Sequence, residues 1–259
     1  MIVDWPENGI MIAGQLSEFF DLLNSAKSAD ARWHALIRFM GEHGADTINY
    51  AVLNTLEFER EIAPVIQFSN MSASWIDYYL DQRMDLADPH VRHVREGHLN
   101  AYRWDEARTG RLQSEQGRNV LAMAAEEGLR SQISVVAPDP MGLGDPIGGM
   151  SIGSSLDAGE YFRAVEGKEN LLLNAAMLFH SRSIGEIRRQ QIGARPLSER
   201  ERDCMSFVAA GLRNSRIAER MGVSEVTVEL HLRSARKKLR ARTTAQAIAR
   251  AMIFGDIEI

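Results

Sequence analysis

Residues 214–239, NSRIAERMGVSEVTVELHLRSARKKL, set a glycine between two helix-forming runs, and this spacing restricts the fold more than any other stretch of the chain. Gly222 permits a tight turn. Asn214 is a candidate cap for a short helix with Ile217, Ala218 and Met221 inward, and Ser224 is a candidate cap for the next. In that second helix Val228, Leu232, Ala235 and Leu239 recur at spacings of four, three and four, so one stripe packs on the body of a small module. Glu229, Arg233, Arg236 and Arg240 fall on the opposite side. Upstream, Ser198 and Glu201 form a capping box for a helix carrying Cys204, Met205, Val208 and Ala209, which Gly211 ends. Helix, turn and helix with a cationic outer face can lay the second helix in a major groove, while capped helix ends and lysines hold phosphates. A small bundle with a solvated basic face is the alternative. A last helix opens at Thr243–Gln246 and carries Ala245, Ile248, Ala249 and Met252, a seam suited either to a partner copy or to packing within the module.

Charge divides the chain in the same place. The net charge is −5, yet residues 195–259 hold 13 Lys/Arg against 8 Asp/Glu, leaving 17 against 27 for the rest. An acidic body with a basic C-terminal piece suits a protein in which one module touches phosphates. With 45% apolar residues in 259, the chain can bury a core, as one large domain plus one small. A single cysteine, Cys204, excludes an intramolecular disulfide framework and fits a reducing, cytoplasmic setting, with inert burial the plain reading. The start, MIVDWPENGIMIAG, lacks a basic leader and interrupts its apolar stretch with Asp4, Pro6 and Glu7, so neither a signal peptide nor a membrane span is expected.

The N-terminal part reads as two amphipathic helices in 15–44, an antiparallel strand pair at 47–56 and 62–68, and further helices with Ser72 as a cap. A helix near 112–127 stops at Gly128. Strands at 131–137 and 147–154 flank a Pro/Gly loop, and a final helix from about 157 to 188 leads to Gly193 and Pro196. The expected fold is α+β: an N-terminal α-β-α sandwich with a central antiparallel sheet, and a C-terminal all-α helix-turn-helix domain. The boundaries are 1–188, a linker at 189–196, and 197–259.

Over residues 196–253 the chain resembles the LuxR-type helix-turn-helix family. Leu197, Glu201, Gly211, Ile217, Ala218, Ser224, Thr227, Val228, His231, Leu232, Lys238 and Leu239 stand where that pattern has the same residues. The resemblance implies a four-helix module that dimerises through its last helix and binds an inverted-repeat operator in double-stranded DNA, with RNA polymerase as a further partner. The candidate DNA-binding set is Asn214, Ser224, Thr227, Val228, Glu229, His231, Arg233, Arg236, Lys237 and Lys238. Glu229 departs from the pattern, standing where a basic or polar DNA-facing residue is common. A carboxylate can accept from cytosine N4, so Glu229 and Arg233 are expected to tune the operator sequence.

In WIDYYLDQRMDLADPH, Trp75 and Tyr79 lie four apart on one helical face, before Asp88 and the later aromatics Tyr102 and Trp104. From pattern alone these residues make either a small-molecule pocket or plain core with Asp88 capping the next helix. Trp75, Tyr79, Asp88, Pro89 and, after a one-residue insertion, Trp104 are similar to the signature of the autoinducer-binding domain of LuxR-type quorum-sensing receptors. The resemblance implies an N-acyl homoserine lactone as ligand, and no cofactor. Trp75 would donate to the lactone carbonyl, and Asp88 would accept from the ligand amide. Tyr79 and Trp104 would wall the acyl chain and the ring, and Ser151 would complete the polar set. Met71 stands where the family has a tyrosine whose hydroxyl bonds the ligand. A thioether cannot donate, so ~1–3 kcal/mol, roughly ten- to a hundredfold in affinity, is expected to be lost. Gln132 replaces a usual glycine. These departures leave a second reading, a regulator of the same fold that answers another metabolite or needs no lactone.

Enzymatic readings are weak. His90 and His93, with His98 beyond, could share a helix face near Asp88 as metal ligands, but the spacing favours an ordinary helix. PDPMGLGDPIGG lacks the Lys-Ser/Thr ending of a phosphate loop, and no early acidic pair suggests a phosphorylated receiver.

Overall fold

The computed structural model describes residues 7–53, 64–96, 101–105, 108, 111, 114–139 and 148–258. It divides into two compact units, 1–183 and 184–259.

The first unit is built on five antiparallel strands: β1 (Thr47–Leu53), β2 (Pro64–Ser69), β3 (Tyr102–Trp104), β4 (Ser131–Ala137) and β5 (Gly148–Ser154), in the order β2-β1-β5-β4-β3. Helices cover both faces, as the α+β sandwich expectation requires. Alternation along β1 sends Ile48, Tyr50 and Val52 to one side, where all three are fully buried. There they meet α1 (Glu7–Ser25), α2 (Ala29–Glu42), α6 (Ala158–Ala164) and α7 (Glu169–Gln191). Phe179 sits edge-on to Tyr50 at 5.3 Å, and Trp33 stacks on Phe68 at 5.3 Å. Each such aromatic pair adds about 0.5–1.5 kcal/mol beyond its buried area. The polar end of Tyr50 is satisfied, because its hydroxyl is 2.7 Å from His180 Nδ1 and His180 Nε2 is 2.9 Å from the Pro138 carbonyl. On the other face lie α3 (Ala73–Asp81), α4 (Pro89–Arg95) and α5 (Glu115–Glu126). Ser72 and Ser114 cap α3 and α5, accepting from the backbone N–H groups of Trp75 and Gly117.

Three features differ from the sequence reading. The helix expected over 157–188 is two: Gly167, at φ +72°, breaks the chain in a left-handed turn between α6 and α7. The short edge strand β3 carries too few residues for an alternation to register. Helix α7 runs to Gln191, so residues 189–191 of the expected linker are helical, and Gly193 at φ +61° makes the break. The ends of the first strand pair and the Pro/Gly loop, at 54–63 and 140–147, lie outside the described residues.

The second unit contains the end of α7 and four helices, α8 (Glu199–Ala209), α9 (Asn214–Met221), α10 (Glu225–Lys238) and α11 (Thr244–Ile253). Arg189 reaches the C-terminal segment, donating to Asp256 Oδ1 at 2.7 Å and to the Phe254 carbonyl at 3.3 Å. Gly185 is required there, since a Cβ would stand 2.5 Å from the Phe254 carbonyl oxygen. Gly222, at φ +67°, ends α9 as the tight turn demands. The Ser198–Glu201 capping box and the Ser224 cap are both present. Asn214 is not a cap: Arg213 takes that position without a side-chain bond, and Asn214 is the first helical residue. Thr243 caps α11, accepting from the Gln246 N–H, while the Gln246 side chain accepts from the Arg242 N–H and not from that of Thr243.

Candidate functional sites

Between the sheet and helices α3, α4 and α5 lies a cavity of about 110 Å3, well above the ~10–15 Å3 that one water needs. Its apolar wall comes from Trp75, Ile76, Tyr79, Val120, Ala124 and Leu129, and its floor from the inward residues of β1, β4 and β5. Asn49, Ser151 and Ser134 are direct neighbours across those strands and form a polar row under the apolar roof.

Trp75, Tyr79, Asp88, Met71 and Ser151, expected from the sequence, all line this space. Trp75 and Tyr79 are each 6% exposed and pack edge to face at 6.0 Å. Asp88 combines the two roles left open by the pattern. Its Oδ1 accepts from the His90 backbone N–H at 2.7 Å, capping α4, and its Oδ2 accepts from the Tyr79 hydroxyl at 2.6 Å. A carboxylate offers about four lone-pair positions, so one more donor can be accommodated. Met71 is approached by Asn49, whose Nδ2 donates to the thioether sulfur at 3.1 Å.

Trp104 departs from its expected position. It is not among the cavity-lining residues; its ring stands against His90 at 4.8 Å, one layer behind the wall. His90 takes the inner place, with Nδ1 2.7 Å from the Ser134 hydroxyl. Burial holds the His90 imidazole down at about 4, with Asp88 opposing and His93 reinforcing the shift. Among the described residues no group of three or more His, Cys, Asp or Glu is placed to hold a metal, and His98 lies outside them. His90, Ser134 and Asn49 were missed as lining residues.

In the second unit α10 displays Val226, Glu229, Leu230, Arg233 and Lys237 on its open side, a run of positions that recur on one helical face. Val226 and Leu230 are 66% and 55% exposed and escaped the sequence reading, which looked for charge and hydrogen bonding. Thr227, His231 and Arg236 flank the face, half-buried, and Asn214 begins α9. Ser224 is occupied as the cap of α10, accepting from the Thr227 N–H at 3.1 Å. Two candidates are corrected. Val228 has no exposed surface and belongs to the buried stripe with Leu232, Ala235 and Leu239. Lys238 bends back to Glu201, Nζ to Oε2 at 2.7 Å. Glu201 is 4% exposed. Burial would raise its pKa, but hydrogen bonds from Lys238, Ser234 and the Ser198 backbone outweigh this and bring it to about 2. Cys204 is buried with its sulfur 3.4 Å from that of Met221, and burial pushes its thiol up. On α11 the buried side is Ala247 and Ala251, while Ala245 and Ala249 are exposed and Ile248 and Met252 half-buried.

Among the described residues, no helix is long and apolar enough to cross a membrane. Residues 28–183 match the autoinducer binding domain, and residues 195–251 match the bacterial regulatory proteins of the luxR family. The chain is similar to the transcriptional activator protein AhyR of Aeromonas hydrophila, 27% identical over 93% of this chain and 91% of that protein. It is also similar to the transcriptional activator protein VanR of Vibrio anguillarum, 31% identical over 73% and 75%. Its fold resembles that of SdiA solved in complex with octanoyl-rac-glycerol, with a TM-score of 0.56 at 18% identity, covering 97% of each chain. The N-acylhomoserine lactone dependent factor CepR2 of Burkholderia cenocepacia is similar over 67% of this chain and 97% of its own, with a TM-score of 0.50 at 21% identity. The family is one of transcriptional regulators, not enzymes. The cavity and the helix-turn-helix therefore sit in domains of known kind, and the chain belongs to the LuxR family of autoinducer-binding, DNA-binding regulators of the quorum-sensing type.

Proposed function

We propose that the cavity of the first unit receives an N-acyl homoserine lactone and that the protein acts as a cytoplasmic homodimer on an inverted-repeat operator. The observation that carries the ligand reading is Asp88, a carboxylate on the cavity wall beside Trp75 and Tyr79 and facing the polar row of Asn49, Ser151 and Ser134. In this reading Asp88 accepts from the ligand amide N–H and the Trp75 indole donates to the lactone carbonyl. Tyr79 lies along the acyl chain, Ser151 offers its hydroxyl to the amide carbonyl, and Met71 contributes contact without a donor. Trp104 supports the ring end through His90.

Arg233 and Lys237 engage phosphates and bases from the open face of α10, and Glu229 reads cytosine. The exposed side of α11, with Ala245, Ile248, Ala249 and Met252, meets its counterpart in the second copy. RNA polymerase is the partner of the DNA-bound dimer. Sequence selection from a random duplex pool tests the DNA half. The reading expects two inverted half-sites about one helical turn apart, and a single asymmetric half-site bound as tightly contradicts the dimer.

A second reading rests on Met71 and Gln132: Asn49 already bonds the thioether, and a buried carboxamide stands in the cavity. Under it the protein answers another small apolar metabolite or none. Tight operator binding by ligand-free protein favours this second reading.

A further inference from the structure

Val226 and Leu230 lie four residues apart on the open face of α10, in its first and second turns. Among the described residues of the second unit they are the large apolar side chains left exposed. The inner stripe of the same helix, Val228, Leu232 and Ala235, already packs it on the module, so the core makes no use of them. Arg233 and Lys237 continue the open face toward the C-terminal end of the helix, and Glu229 stands beside the apolar pair.

The cations fix what covers this face. In a helix-turn-helix the N-terminal residues of the second helix reach base edges in the major groove, while basic residues further along hold phosphates. On the floor of that groove the apolar projection is the thymine C5-methyl, set among donors and acceptors. Val226 and Leu230 carry no polar side-chain atom, so pressing them on a donor or acceptor dehydrates it without replacing its hydrogen bond, whereas a methyl is better buried than wet. Four residues of helix span about 6 Å and base pairs are stacked ~3.4 Å apart, so the two side chains meet bases no more than about two steps apart.

We propose that Val226 and Leu230 are specificity-determining residues that read two thymine methyl groups in each operator half-site. The proposal rests on the operator reading above and sets an apolar readout beside the cytosine contact of Glu229. Neither side chain touches a phosphate, so their contribution does not vary with salt, unlike that of Arg233 and Lys237.

The test begins with the full chain, which selects duplexes from a random pool with and without N-butanoyl, N-octanoyl and N-dodecanoyl homoserine lactone. Each thymine of the enriched half-site is then replaced by deoxyuridine, which keeps the base pair and lacks the methyl. Affinity is measured for the natural protein, Val226→Ala and Leu230→Ala; both side chains are exposed, so the variants keep the fold. The expected result is two positions, no more than about two steps apart, at which loss of the methyl weakens binding about fourfold. One position loses this sensitivity in Val226→Ala and the other in Leu230→Ala, and the slope of log affinity against log salt is the same in all three proteins. Deoxyuridine tolerated at every position, or a methyl dependence that both variants retain in full, overturns the proposal and leaves the operator reading standing. Failure to enrich any sequence under all of these conditions overturns the operator reading and the proposal with it.

Discussion

The Tyr79 hydroxyl donates to Asp88 Oδ2 at 2.6 Å, so two residues singled out for ligand contact are already bound to each other across the cavity wall. The bond joins α3 to the start of α4 and fixes the direction in which the carboxylate faces the cavity. Tyr79→Phe keeps the ring and removes the bond. A hydrogen bond to a carboxylate is worth about 1.5–3 kcal/mol, and urea denaturation of the ligand-free variant is expected to show a loss of that order. An unchanged midpoint means that the bond does not hold the wall together.

His90 gives the first unit a pH dependence. Its folded value of about 4 lies below the ordinary 6.5, so between these values the unfolded chain binds a proton that the folded chain does not. Stability is therefore full above pH 6.5 and declines as pH falls toward 4, by up to about 3 kcal/mol. His90→Asn is expected to flatten this slope in thermal midpoints measured across the window. A slope that persists assigns the dependence to other groups.

Glu201 answers acid with its own window. Its carboxyl, ordinarily near 4.5, is held at about 2 by its donors despite burial. The stabilisation is complete above pH 4.5 and disappears as pH falls through about 2. At neutral pH, Glu201→Gln leaves Lys238 without its counter-charge in a partly buried setting and is expected to cost about 2–4 kcal/mol, read as loss of helical signal in urea.

The same pair separates structural from DNA-contacting cations. Arg233→Ala and Lys237→Ala are each expected to reduce the dependence of log affinity on log salt by about 1, because each removes one phosphate contact and its released counterions. Lys238→Met is expected to lower stability and leave that slope unchanged. Fluorescence anisotropy with a labelled operator at several salt concentrations distinguishes them.

Legibility in the sequence followed the strength of the local signal. The helix-turn-helix was readable because its caps, its turn glycine and the stripe at Val228, Leu232, Ala235 and Leu239 agree. The same readability misled at Val228 and Lys238, where pattern matching could not tell a buried valine from a DNA contact or foresee that Glu201 holds the lysine. In β4 every residue is buried, so SQISVVA has no alternation of polarity to reveal that Gln132 and Ser134 face the cavity. The family resemblance implies Trp104 as a wall of the ring, yet His90 takes the inner place and the indole of Trp104 packs against it from behind.

The most direct test of the whole account is the thermal midpoint of ligand-free full chain against homoserine lactones of graded acyl length. A cognate signal at a hundred times its dissociation constant adds about 2.7 kcal/mol, and the account predicts a rise of several degrees confined to a narrow range of tails and abolished in Asp88→Ala. A well-folded protein whose midpoint no lactone moves would contradict it.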